Sequence, residues 1–173
     1  MNDPNQNTQS SGLTLEPQQL RDFFISHLNR IYCAKAHLVE RLPELADQAQ
    51  FRDLRYAIIE TMEDIDRQIA RMDEVFVLLD EKPSIEKHDE LIDFLENGFA
   101  ANYQQVDDLV LRDLSILFYL SLVESIEVAS FHILLMAADK MHSKQIKQLL
   151  QENFDESKAD RSLFTQITAK YIN

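Results

Sequence analysis

The chain has 173 residues and a formal charge of −13 at pH 7, long enough for one domain with a buried core. Two Gly, four Pro and no Trp, against a background of Leu, Ile, Ala, Glu, Asp and Gln, point to an all-helical protein. The acidic balance argues against a nucleic-acid phosphate binder or a protein of anionic membrane surfaces, and suits a cytoplasmic protein or one that meets a basic partner.

Residues 1–15, rich in Asn, Gln and Ser, read as a disordered polar tail, and residues 16–173 as a single helical domain. A signal peptide is not expected, since the start lacks a basic region followed by an apolar one. A first helix is expected from Pro17, a good first-turn residue, to about Gln48, with Pro43 as a kink or break. The second, from about Ala49 to Leu79, carries Leu54, Ile58, Thr61, Ile65, Ile69, Met72 and Phe76 at spacings of three and four. Lys82-Pro83-Ser84 marks a turn, and Ser84 is placed to cap a shorter third helix ending near Tyr103. Asp107 or Asp108 is expected to cap the fourth, which runs to Met141. Arg112, Asp113, Glu124 and Glu127 interrupt its apolar run, so no membrane span is expected. After a break at His142-Ser143, a fifth helix fills about Lys144 to Tyr171. Four long helices and one shorter addition, with short links, read as an antiparallel bundle. Cys33 is the single cysteine, which excludes a disulfide within the chain.

Polar residues interrupt the apolar faces near mid-length. At 100° per residue, Glu124 falls in the middle of the face made by Leu117, Leu120, Val128, Phe131 and Leu135, with Glu127 on its flank. Lys35 lies inside the stripe Leu20, Phe24, Leu28, Ile31, Leu38 and Leu42. It either snorkels to water or is a buried ammonium neutralised by carboxylates from facing helices. Helix 2 offers Thr61 within its face and Asp64 at the edge, while Glu63 points outward. Helix 3 offers Glu96, and helix 5 aligns Asn153, Ser157 and Asp160 with Ile146, Leu150 and Phe164, with Glu156 beside them. Asp64, Glu96, Glu124 and Glu127 ionised would carry four negative charges against one from Lys35. That excess cannot persist in a low-dielectric core. Some of these groups are therefore protonated, lie at a wet edge, or hold a divalent cation, for which an all-oxygen set suits Mg²⁺, Ca²⁺ or Mn²⁺ better than Zn²⁺. His37 and His88 are expected on polar faces, and His27 and His132 at the edges of apolar ones. Cys33 is expected to face away from the helix-1 stripe.

The order of landmarks resembles the ferritin-like bacterial stress proteins typified by YciE and YciF, over about residues 20–165. Leu20-Arg21-Asp22-Phe23-Phe24, then Leu28, Tyr32, Ala34 and Leu42-Pro43, is similar to that family's opening helix. Gln68-Ile69-Ala70-Arg71-Met72 with Val75-Phe76 resembles its second helix. Val123-Glu124 and Glu127-Val128-Ala129-Ser130-Phe131 resemble its fourth. The resemblance implies a ferritin-like bundle, usually dimeric, with a carboxylate/His metal site in its core. By the same resemblance, Lys35 stands at a Glu position, Thr61 at a His position, Asp64 at a Glu position and Ser125 at a His position. A cation therefore occupies a ligand position, and the imidazoles are missing.

The expectation is a stress-response-type protein with a degenerate di-metal site, no cofactor and a structural or binding role, forming a homodimer. Two alternatives stand beside it. One is a metal-dependent oxidase or peroxide-handling enzyme retaining a single divalent ion (Mn, Mg, Ca or Fe) on Asp64, Glu96, Glu124 and Glu127. The other is an acidic inhibitor or immunity-type protein for a basic partner.

Overall fold

A computed structural model describes residues 15–84, 89–103 and 107–172 of the chain. Five helices follow in order: α1 (Pro17–Gln48), α2 (Arg52–Leu78), α3 (Asp89–Tyr103), α4 (Leu109–Lys140) and α5 (Lys144–Ile172). Most of the polar tail expected at residues 1–15 lies outside the described residues. So does the segment 85–88 just after Ser84, through which that residue would cap α3.

The core divides into two apolar clusters. One joins Leu38, Leu42 and Leu45 of α1 to Leu54 and Ile58 of α2, Leu117 and Leu120 of α4 and Phe164 of α5. The other joins Phe24 and Leu28 of α1 to Met72 and Phe76 of α2, Phe131 and Leu134 of α4, and Ile146 and Leu150 of α5. The early part of α1 thus meets the late part of α2 and of α4. Helices α1 and α5 run one way, and α2 and α4 the other. The connection from α2 to α4 must travel the length of the bundle, and it carries α3, whose Leu95 and Phe99 join the first cluster. This is a four-helix bundle with one long crossover, as in ferritin-like folds.

Helix α1 continues through Pro43 as a single element. Helix α2 starts at Arg52, three residues later than expected, because Asp113 of α4 reaches into the turn. The Asp113 carboxylate accepts from the backbone N–H of Gln50 (2.7 Å) and Phe51 (2.6 Å). Burial pushes its pKa up, and the two N–H groups oppose that shift. Phe51 also stacks on Tyr171 of α5, with ring centroids 3.7 Å apart. Asp113→Ala removes the acceptor from two N–H groups at the start of α2 and is expected to lower stability by about 1–3 kcal/mol. A thermal melt identical to that of the parent protein would refute this role.

Asp108 caps α4, accepting from the N–H groups of Val110 and Leu111. At the other end His142 takes a positive φ of 59° and turns the chain into α5. Helix α4 is apolar around almost its whole circumference. By length and composition alone it could cross a membrane, so the interrupting charges do not exclude a span as the sequence reading supposed. In the fold it is the helix that packs most extensively on α5.

The segment after α2 lies over α1. Asn29 accepts from the Ser84 N–H at 2.7 Å, Arg21 donates to the Leu79 carbonyl at 2.7 Å, and the Cys33 thiol donates to the Ser84 carbonyl at 3.5 Å. Cys33 faces away from the apolar stripe, as expected, and is nonetheless buried, because this segment covers that side of α1. Burial raises its thiol pKa.

Candidate functional site

Between the two apolar clusters lies a polar layer contributed by every long helix: Lys35 from α1, Gln68 from α2, Glu124 and Glu127 from α4, and Asn153, Ser157 and Asp160 from α5. All of these are buried, and Lys35 is 0% exposed. Lys35 therefore does not snorkel. Its Nζ forms an ion pair with Glu127 Oε2 and donates to Gln68 Oε1. The ammonium also lies 5.5 Å from the centroid of the Phe131 ring, within the range of a cation–π attraction. Glu127 Oε2 accepts further from Ser157 Oγ at 3.1 Å. Gln68 is held by its backbone carbonyl, which accepts from Asn153 Nδ2 at 3.2 Å. Such surrounding hydrogen bonds are what a buried ion pair needs to offset the loss of water.

The other two carboxyls meet a different environment. Burial, then the charge of Glu127, holds Glu124 well above the usual carboxylate range, with Lys35 opposing. Burial likewise pushes Asp160 up to about 7, with Lys35 opposing and Glu127, Glu60 and Glu156 reinforcing. Glu124 Oε2, Glu127 Oε1, Asp160 Oδ2 and Thr61 Oγ1 have no hydrogen-bond partner among the described residues. A proton on Glu124 or Asp160 supplies a donor to a region rich in acceptors. With Glu127 matched by Lys35, and Glu124 and Asp160 protonated, the layer is neutral. With Asp64 and Glu96 paired to arginines outside the layer, no charge excess is left in the core.

The remaining acids are neutralised at the rim. Asp64 is paired with Arg67, whose Nε lies 3.6 Å from Glu156. Arg71 grips Glu156 through two bonds of 2.7 and 2.9 Å and reaches Glu152 at 2.9 Å. Burial acts to raise the Glu156 pKa, but the hydrogen bonds and charge of Arg71, together with Arg67 and Gln68, hold it below the usual range. This network closes the seam between α2 and α5.

The structure thus brings Lys35, Glu124 and Glu127 together and leaves Thr61 buried on the same α2 face. Three other expected positions lie apart. Asp64 turns to Arg67 instead of Lys35. Glu96 sits on α3, accepting from Arg41 Nε at 2.9 Å and contacting His37 at 2.6 Å, which hold its pKa down. Ser125 is only half-buried and donates to the Ser121 carbonyl at 2.7 Å. Adjacent residues in a helix point 100° apart, so a side chain next to Glu124 cannot share its face. Asp139 is taken by Lys147 at 2.6 Å, and His132 lies against Phe154.

Gln68 and the two arginines were not among the expected site residues. Gln68 was legible, since it lies seven residues after Thr61 on the same helical face. Among the described residues, no group of three His, Cys, Asp or Glu side chains is arranged to hold a metal ion.

A family model described as a domain of unknown function (DUF892) matches residues 19–173. YcfI of Rhodopseudomonas palustris, provisionally described as a structural protein, has 25% identity and a TM-score of 0.80. The match covers 90% of this chain and 96% of that one. The E. coli stress protein YciF has 24% identity and a TM-score of 0.83, over 89% of this chain and 97% of its own. No curated protein sequence matches.

Proposed function

The chain belongs to the DUF892 family, and on that footing we propose a stress-response-type protein with a structural or binding role, whose internal ammonium takes over the charge position of a metal ion. The observation that carries this reading is the fully enclosed Lys35, bonded to Glu127 Oε2 and Gln68 Oε1. The ferritin-like likeness implies a core metal site, and the donor set here suits one poorly. One oxygen of Glu127 is committed to Lys35 and Ser157. Glu124 and Asp160 favour their protonated forms, and a protonated carboxyl is a poor ligand for a cation. A second positive charge near Lys35 would also be repelled in a medium that screens weakly. In this reading no residue is assigned a catalytic role, no cofactor is required and the protein works in the cytoplasm.

Protein purified without chelators is expected to hold far less than stoichiometric iron or manganese. Stoichiometric content of either metal would overturn the reading. The complementary variant Lys35→Glu with Thr61→His removes the competing cation and adds an imidazole on the α2 face. It is expected to raise bound manganese or iron well above the parent level, as measured by elemental analysis of the folded protein.

A further inference from the structure

We propose that the cavity enclosed by α1, α3 and α4 binds a small amphipathic carboxylate, an unbranched apolar chain carrying a single terminal carboxyl group. This cavity lies on the flank of the bundle, apart from the Lys35 pairing that carries the proposed function. It measures about 450 Å³, within the range of about 300–1,000 Å³ that small-molecule sites occupy. Helix α1 supplies Phe23, His27 and Arg30, which recur at spacings of four and three and so share one face. Leu91 of α3, with Ser130 and Ile133 of α4, forms the facing walls.

Arg30 is the one cation among the described residues that line the cavity. Its Nε is buried and has no hydrogen-bond partner among the described residues. Its guanidinium approaches the mostly exposed Glu90 at 3.9 Å, too far for a hydrogen bond. A guanidinium presents its N–H donors as a fork that matches a carboxylate. His27 stands one turn before Arg30, its ring centroid 4.4 Å from that of Phe23. Burial, then the charge of Arg30, lowers its pKa, so at neutral pH the imidazole is uncharged and has an N–H to donate. One cation beside one neutral donor suits a monoanion, whereas a phosphate dianion would leave charge unmatched. Elsewhere a chain of net charge −13 repels anions that find no such partner.

The space adjoining this polar end selects an apolar tail. Ile31 and Leu91 are walls both of the cavity and of a smaller pouch that continues along α1 and α4. Ala34, Phe94, Leu95, Val123 and Ile126 line that pouch, an apolar surface that offers no partner to a second charge. Its remaining wall is Glu127, whose charge is already matched by Lys35, so a cationic far end gains little there. A methyl-terminated chain brings no polar group that would be left unsatisfied.

Calorimetric titration of the full chain with sodium decanoate, kept below its micelle concentration, is expected to show one saturable site per chain. From hexanoate through octanoate to decanoate, affinity should rise roughly three- to fourfold for each added methylene. Decyltrimethylammonium, with a similar tail and the opposite charge, should bind at least about tenfold more weakly. Arg30→Gln keeps a long polar side chain but removes the charge, and should weaken decanoate by about tenfold or more. Leu91→Trp narrows the passage from cavity to pouch and should flatten the dependence on chain length. No saturable binding of decanoate, or equal affinity for the cationic analogue, would overturn the proposal. So would a decanoate affinity unchanged by Arg30→Gln, or a chain-length dependence untouched by Leu91→Trp. The head-group and chain-length series use the parent protein, so they decide the matter even where a variant fails to fold. Arg30 and Leu91 lie outside the polar layer, so metal content reports on the proposed function separately.

Discussion

Lys35→Met is expected to lower the unfolding free energy by about 3–5 kcal/mol, the usual consequence of removing one partner from a buried ion pair. The side chain is similar in length and apolar, so packing is largely kept and the charge of Glu127 is left uncompensated. Glu124 and Asp160 cannot supply a counter-charge, since a carboxyl is at best neutral, the form that burial favours in both. Adding Glu127→Leu to Lys35→Met removes the stranded charge, and the double variant should recover most of the lost stability. Apolar replacements of complete buried pairs are often neutral or stabilising by about 1–4 kcal/mol. Urea unfolding of the parent, both single variants and the double variant yields the coupling. Additive losses would show that the two side chains act separately. On the usual scale of about 2–4 °C per kcal/mol for a domain of this size, Lys35→Met should melt roughly ten degrees lower.

The second large effect is a loss of stability as pH rises towards neutrality. An unperturbed Asp side chain titrates near 3.8, and burial pushes Asp160 up to about 7 in the fold. Between these values the folded protein holds a proton that the unfolded chain has released. Its contribution is fully present below pH 3.8 and is lost as pH rises through about 7. The upper bound is about 4 kcal/mol. Glu124 shifts in the same direction and adds to the trend. Glu156 and Glu96 are shifted down by their arginine and histidine partners. Their contributions are present above the unfolded carboxylate range and are lost as pH falls through their folded values. The stability optimum is therefore expected on the mildly acidic side, at about pH 5–6. Asp160→Asn keeps the shape and cannot ionise. It should flatten the decline between pH 5.5 and 8 and be more stable than the parent at pH 8. Urea midpoints of parent and variant that fall in parallel over this range would refute the assignment.

Much of the architecture was legible because it depends on helical period and on a few strong boundary residues. Pro17, Lys82-Pro83, Asp108 and His142-Ser143 all mark real boundaries, and the resemblance to the YciE/YciF type agrees with the family and the fold found. The start of α2 was missed because it is set by Asp113, more than sixty residues away in sequence. Within the polar layer, angular position sufficed for Lys35 and Glu124, which lie inside their stripes, and for Glu127 on the flank of the same face. Position alone could not decide Asp64, whose carboxylate can turn inward or outward and is claimed by an arginine one turn along. Glu96 depended on how α3 sits in the crossover, and local periodicity carries no information on that. Cys33 faced away from the stripe as read, yet the segment ending at Ser84 buries it.

The polar layer between two oily clusters also has a mechanical consequence. Apolar helices can slide by one turn and repack with modest loss, since one leucine resembles another. Here a slip of α1 along α4 by one turn, about 5.4 Å, would carry the Lys35 ammonium away from Glu127 and into one of the hydrophobic clusters. Each charge would then stand alone in a medium that punishes it heavily. The ammonium acts as a detent, locking the axial register of α1 against its neighbours.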